Sequence, residues 1–351
     1  MKRSLLLACL LLCSPAFAAS PKPLWVNAVG CSLFDSKGQL LKKYLGWVCA
    51  FFPNGKMLLG DGFTLTFYDK DMNVVWSKDV HTHHMITYSE ADKTALVIAS
   101  NILEDKLRID RLEVYDSEGK LLKGFNFTPA HSLGAYPQTF DIFSFPKVKQ
   151  FLTLVESFYR IGKSSSKLPF LAEGNYVVRE ASGRIYFFDR GLTKILHTIN
   201  TREWGLDDLR DLQVTSRGSL LVYNSGNKVN GVPFTTLDEL DPKSGKVLWS
   251  YRADPPTAFY GNYEGNVQIL PNHHLLFSVV MDEYRGNDRK SVPESEREPW
   301  MDVQGMHRST EIDRKGKVVW KMSNDGSGLS GMPNVVKRLN LAQYLQHKGS
   351  Y

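Results

Sequence analysis

Glu239-Leu240-Asp241-Pro242-Lys243-Ser244-Gly245-Lys246-Val247-Leu248-Trp249 is the stretch that decides the fold. A strand ends in Asp, a tight turn follows, and a second apolar run closes on Trp. The Asp side chain can accept from the backbone two residues on, and Gly supplies positive φ, so the segment reads as a β-hairpin. The pattern recurs. Glu311-Ile312-Asp313-Arg314-Lys315-Gly316-Lys317-Val318-Val319-Trp320 is a near copy, and related turns stand at Asp35, Asp69, Asp116 and Asp189. A second hairpin type alternates with the first. Val48 to Phe52 turns at Pro53-Asn54-Gly55-Lys56 into Met57-Leu58-Leu59, and Leu212-Gln213-Val214 turns at Ser216-Arg217-Gly218 into Leu220 to Tyr223. Phe140 to Phe143 turning into Phe151 to Val155 is read as another.

Two hairpins make one four-stranded unit, and a unit period of about 40 to 50 residues is that of a β-propeller. The expected fold is all-β: a six-bladed β-propeller of four-stranded antiparallel blades, or a seven-bladed one. Residues 19–45 are expected to close the last blade, 46–327 to form the propeller, and 328–351 to supply a C-terminal strand and tail. The inner strands of the closing blade would come from Gly328 to Leu339. Three long connections, Ile161 to Gly174, Ser225 to Pro233 and Asp282 to Gly305, are read as lying between second and third strands. They would then share one face with the links between blades.

The segment 1–18 reads as a leader. Lys2 and Arg3 precede an apolar run from Leu5 to Cys13, and Ala16-Phe17-Ala18 is a small-x-small cleavage site. Cleavage near Ala18 and a periplasmic or secreted location are expected. No later stretch is apolar enough to span a bilayer as a helix, so no transmembrane segment is expected. The whole chain carries +6; the leader takes two of the 43 basic residues and no acid, which leaves +4. That small excess, without a clustered basic stripe, argues against a nucleic-acid partner. Of the four cysteines, Cys31 and Cys49 survive cleavage. In an oxidising compartment a disulfide is one reading and two buried thiols the other. With no paired histidines nearby they make a poor zinc site, and no metal is expected.

The histidines sort by position. His81, His83 and His84 stand where the chain enters an inner strand, and His131 stands at the next such link. Both places open on the central channel. His273 and His274 fall in a turn on the opposite face, and His197 on an outer strand. His83-His84 is the leading constellation.

The His-His pair, the Asn266-Val267-Gln268-Ile269-Leu270-Pro271-Asn272 strand and the Glu311–Trp320 hairpin together resemble bacterial arylsulfotransferases, which are exported six-bladed propellers. The resemblance runs from about Val48 to Met322. It implies a PAPS-independent transferase without a cofactor. A channel histidine attacks the sulfuryl group of an aryl sulfate and a phenol then accepts it. On that resemblance His84 is the expected nucleophile, with His83, His131 and Arg160 or Arg308 as sulfate binders. The sequence departs from the family pattern. His84 is followed by Met85 where Asp or Ser is usual, Glu264-Gly265-Asn266 stands where a histidine is expected, and Asn101 and Met281 occupy places comparable to that of the family arginine, as Arg160 does in the third unit. The competing expectation is a non-catalytic propeller that holds a ligand or protein on its long-loop face. The Asp241–Trp249 hairpin also looks like a quinoprotein repeat, but only that copy and the one ending at Trp320 do.

Overall fold

The five Asp turns between 69 and 313 form as the sequence dictates. In the computed structural model, Asp69 Oδ1 accepts from the N–H groups of Asp71 (2.9 Å) and Asn73 (2.8 Å). Asp116 does the same with Glu118 and Lys120, both at 2.9 Å. Asp189, Asp241 and Asp313 repeat the arrangement. Each turn joins two antiparallel strands whose register slips by one residue just before the turn. The structure describes residues 24–27, 31–34, 40–44, 46, 48–89, 92–103, 107–131, 136–137, 150–206, 208–256, 259–261, 265–270, 272–279, 307–324 and 335–338. The turn at Asp35 and the Asp282–Gly305 connection lie outside them, as do the leader and the tail beyond Arg338.

The chain begins with β1 (Leu24–Asn27), β2 (Ser32–Phe34) and β3 (Leu40–Lys43). Then β4 (Val48–Phe51), β5 (Met57–Gly60), β6 (Thr64–Tyr68) and β7 (Val74–Asp79) make a four-stranded antiparallel sheet, counted from the axis outward. Next come β8 (His81–Ser89), β9 (Thr94–Ile102), β10 (Leu107–Tyr115) and β11 (Leu121–Asn126). Two short strands, β12 (Tyr136–Pro137) and β13 (Gln150–Phe151), join that sheet and bring it to six. Two further four-stranded sheets follow: β14 (Val155–Arg160) to β17 (Ile195–Asn200), through β15 (Tyr176–Glu180) and β16 (Arg184–Phe188); then β18 (Leu209–Val214) to β21 (Val247–Arg252), through β19 (Leu220–Val229) and β20 (Val232–Leu240). The next sheet is β22 (Asn266–Ile269), β23 (Leu275–Val279), β24 (His307–Ile312) and β25 (Val318–Asn324). Finally β26 (Val335–Arg338) returns to β1, so that β26-β1-β2-β3 is one sheet built from both ends of the chain.

Three sequence expectations are corrected here. Six or seven like blades are not found among the described residues: five sheets are four-stranded blades, and the remaining sheet has six strands. The closing blade takes only its innermost strand from the C-terminal segment, because Leu24–Asn27 is itself a strand and fills the second place. The 140–143 segment, read as the inner strand here, lies outside the described residues, and Phe151 is not part of a second strand. It pairs in parallel with Arg108 at the start of β10, and the inner strand is Val155–Arg160. The 161–174 connection therefore joins a first strand to a second, on the face opposite the one expected. The 225–233 segment is strand rather than loop: β19 and β20 continue to a turn at Asn230-Gly231, where both residues have the positive φ of an Asn-Gly hairpin tip.

Buried residues fill the gaps between adjoining sheets. One cluster runs from Met85 and Leu96 through Phe158 and Val178 to Leu212 and Val222. Another joins β4–β6 to β8–β9 through Phe52, Leu65, Ile86 and Val97. The closing Trp of the repeat explains itself in this packing. The Trp249 indole N–H donates to the Arg314 carbonyl in the next sheet's turn at 3.1 Å, and the Arg314 guanidinium lies 4.5 Å over its ring. Trp76 packs the same way against the next turn. Gly119 there has a positive φ, and a Cβ on it would come within 2.6 Å of the indole nitrogen, so only glycine fits. Cys31 and Cys49 are disulfide-bonded with Cα atoms 6.0 Å apart, which ties the closing sheet to β4.

Candidate functional site

The inner strands of three consecutive sheets break register in their first turn. Between Thr82↔Ala99 and Ile86↔Val97, residues 83–85 stand against one residue of β9. Glu156 is the extra residue between Val155↔Glu180 and Ser157↔Arg179, and Arg210 the extra one between Leu209↔Asn224 and Asp211↔Tyr223. A β-bulge re-aims side chains and is common beside functional sites. Here the re-aimed residues are His83, His84, Glu156 and Arg210, all at the leading ends of strands that line the axis. His84 has a positive φ, a left-handed backbone that costs a histidine free energy unless the surroundings hold it there.

A buried chain of hydrogen bonds holds the pair. His83 Nε2 meets Asp110 Oδ1 at 3.0 Å, and His83 Nδ1 meets His84 Nδ1 at 2.5 Å. Asp110 is wholly buried and accepts further from Ser100 Oγ (2.8 Å) and from the Val155 N–H (2.6 Å). Arg108, also wholly buried, donates from Nε to Ser100 Oγ at 2.7 Å and lies 3.5 Å from Asp110 Oδ1. Burial works to raise the Asp110 pKa, but the adjoining His83, Arg108 and the Val155 N–H together hold it below the usual carboxylate range.

The carboxylate fixes one proton. An ionised carboxylate only accepts, so His83 carries a proton on Nε2. The Nδ1–Nδ1 contact holds one proton between the two rings. His84 Nε2 has no hydrogen-bond partner among the described residues. Burial, and then the neighbouring His83 and Arg108, hold the His84 pKa well below the usual imidazole value. Asp110 pulls the other way and Arg179 adds to the lowering. A neutral imidazole with an open nitrogen can act as nucleophile or general base.

The remaining expected residues fall elsewhere. His131 sits in a short 3₁₀ turn, where its Nδ1 accepts from the Thr128 N–H at 2.9 Å and its ring packs on Phe125 and Phe127. Its carbonyl accepts from Arg184 (2.9 Å) and Tyr186 (3.1 Å), so it is anchored to the outer strands. Arg160 ends β14 at the opposite mouth of the channel and is paired with Asp92 in the β8–β9 turn. There it lines a cavity of about 400 Å³ with Tyr159, Gln213, Leu270 and His273. Arg308 stands opposite Val279 at the start of β24, and its side chain lies outside the described residues. Among the described residues no group of three potential ligands could hold a metal, and no helix is long and apolar enough to cross a membrane.

Sequence reasoning missed Ser100, Arg108, Asp110, Glu156, Arg179 and Arg210. Their signal was present as charged residues interrupting apolar strands, in Leu107-Arg108-Ile109-Asp110 and Val177-Val178-Arg179-Glu180.

The topology defines an all-β propeller with four-stranded antiparallel blades. No family model matches the chain, and no curated protein matches it. A protein of unknown function from Bacteroides caccae has a similar structure, with a TM-score of 0.57 at 15% identity over 90% of this chain and 98% of that one. The WD40 β-propeller domain of Doa1 aligns with a TM-score of 0.44 at 11% identity, over 86% of this chain and 79% of that one. At these identities the first likeness speaks to the fold alone, and the second adds no weight to it.

Proposed function

We propose that this chain is an exported propeller that transfers a sulfuryl group from an aryl sulfate to a phenol through His84. The observation that supports it is the unpartnered Nε2 of His84 at the end of the Asp110–His83 chain; it is the basic nitrogen when the proton of the Nδ1–Nδ1 contact rests on His84. Nε2 attacks sulfur, the S–O bond to the aryl group breaks, and the phenolate leaves with the electron pair. The acceptor phenol oxygen then attacks sulfur, the S–N bond breaks and its pair returns to Nε2, while the acceptor proton passes to solvent or to the released phenolate. Residues 1–18 would direct export, and the Cys31–Cys49 bond suits an oxidising compartment.

One observation favours a second reading, a propeller that only binds a small molecule or protein. Arg160 is engaged by Asp92, His131 by Thr128, and the cations nearest His84 each already meet a carboxylate. Nitrophenolate release from 4-nitrophenyl sulfate by the purified chain, with and without added phenol, separates the two. The transferase reading predicts phenol-dependent release that is lost in His84→Asn. Asparagine tolerates the left-handed backbone at this position, so the fold is kept. No release across a panel of phenols, or equal release by the variant, would overturn that reading.

A further inference from the structure

We infer that Arg179, Arg210 and Ser157 form a binding site for a tetrahedral oxyanion of the sulfate type at the His84 end of the channel. The inference deepens the transferase reading by naming what would hold the sulfuryl oxygens. It concerns binding alone, and does not require that His84 react.

The three residues come from neighbouring strands at the same end of the channel. Ser157 on β14 and Arg179 on β15 are direct register partners. The Arg179 guanidinium reaches across to β18 and donates from Nη1 to the Arg210 carbonyl at 3.3 Å. Two arginines thus lie side by side, and Arg179 is 3% exposed. Each has a carboxylate on one part of its guanidinium: Glu156 on Arg179 Nη1, and Asp208 on Arg210 Nη2 at 2.8 Å. What remains is the informative part. The Nε atoms of Arg179 and Arg210 and the Ser157 hydroxyl are buried and make no hydrogen bond among the described residues.

Buried donors without partners are rare because each carries its desolvation cost uncompensated. Three of them, two cationic, stand on adjoining strands; Glu156 Oε2, ion-paired to Arg179 Nη1, also makes no hydrogen bond among the described residues. Burial, and then the charge of Arg210, pull the Arg179 pKa down to about 9, which an added anion would relieve. The geometry selects the class of anion. Asp208 takes Nη2 of Arg210, which breaks its two-pronged fork, and the Nε–Nη2 edge of Arg179 stays open among the described residues. Single N–H and O–H donors arriving from three strands suit oxygens arranged tetrahedrally. Arg179 acts on the His84 titration, so the anion would lie at the same end of the channel as that imidazole.

The test is calorimetric titration of the whole mature chain with sodium sulfate at fixed ionic strength, beside phosphate and acetate. Sulfate or phosphate should bind saturably and acetate should not. Arg210→Met should weaken binding roughly tenfold or more, as expected for loss of a charged donor, and Ser157→Ala should weaken it several-fold. Ser157→Ala removes one hydroxyl with no partner, so it keeps the test decisive if Arg210→Met fails to fold. Absence of sulfate and phosphate binding, or binding left unchanged by Ser157→Ala, would overturn the site. Sulfate binding without any turnover would keep the site and discard the transferase reading.

Discussion

Asp110→Ala is expected to lower folding stability by about 3–5 kcal/mol, the cost of leaving a buried charge without its partner. The Arg108 guanidinium, which has no exposure, loses its Asp110 carboxylate, and the Val155 N–H and Ser100 hydroxyl lose their acceptor with it. A domain is stable by about 5–15 kcal/mol, so the loss should be plain in a denaturant midpoint. Acid should act in the same direction. The Asp110 pKa is lower folded than unfolded, so its contribution is fully present above the unfolded carboxylate range near pH 4. It is lost as pH falls from there through the folded value. In Asp110→Ala this part of the acid sensitivity should disappear. A variant as stable as wild type would show that the Asp110–Arg108 pairing does not hold the site together.

Reducing the Cys31–Cys49 bond should cost about 3 kcal/mol, the chain entropy regained when the short loop between the two cysteines is released. The location argues for a large effect. The ring closes through β26 and β1, paired over four positions, and the disulfide fastens the same N-terminal segment to β4, inside a cluster with Tyr44, Phe51 and Met57. Once it is cut, the three N-terminal strands keep only that pairing and their packing. Wild type in reductant and Cys31→Ala/Cys49→Ala should unfold at the same lowered denaturant concentration. A midpoint indifferent to reductant would mean that pairing and packing close the ring without the covalent tie.

The repeat was legible because turn chemistry is local. Asp69, Asp116, Asp189, Asp241 and Asp313 each bond backbone within their own turn, so residue type and spacing suffice to find them. What was missed depends on partners far along the chain. Phe151 reads as the second strand of a hairpin begun at Phe140, yet its pairing with Arg108 is decided by an edge of β10 that no nearby residue reveals. Leu24–Asn27 reads as a short apolar scrap until β26 arrives from the other end. The site divided the same way. His83 and His84 stood out as a pair at the right end of an inner strand, but Asp110 lies two strands further on and takes its role from a register match that the sequence does not display. Arg160 was assigned to the wrong mouth because the inner strand before it was misplaced.

The central claim is that Asp110 and His83 leave His84 Nε2 unprotonated at neutral pH. Long-range ¹⁵N–¹H correlation on histidine-labelled protein reads this directly. The His84 ring should be neutral, with hydrogen on Nδ1 and none on Nε2, and should stay so as pH falls through the usual imidazole pKa. A His84 that carries its proton on Nε2, or that becomes cationic near the ordinary histidine pKa of about 6.5, would contradict the account.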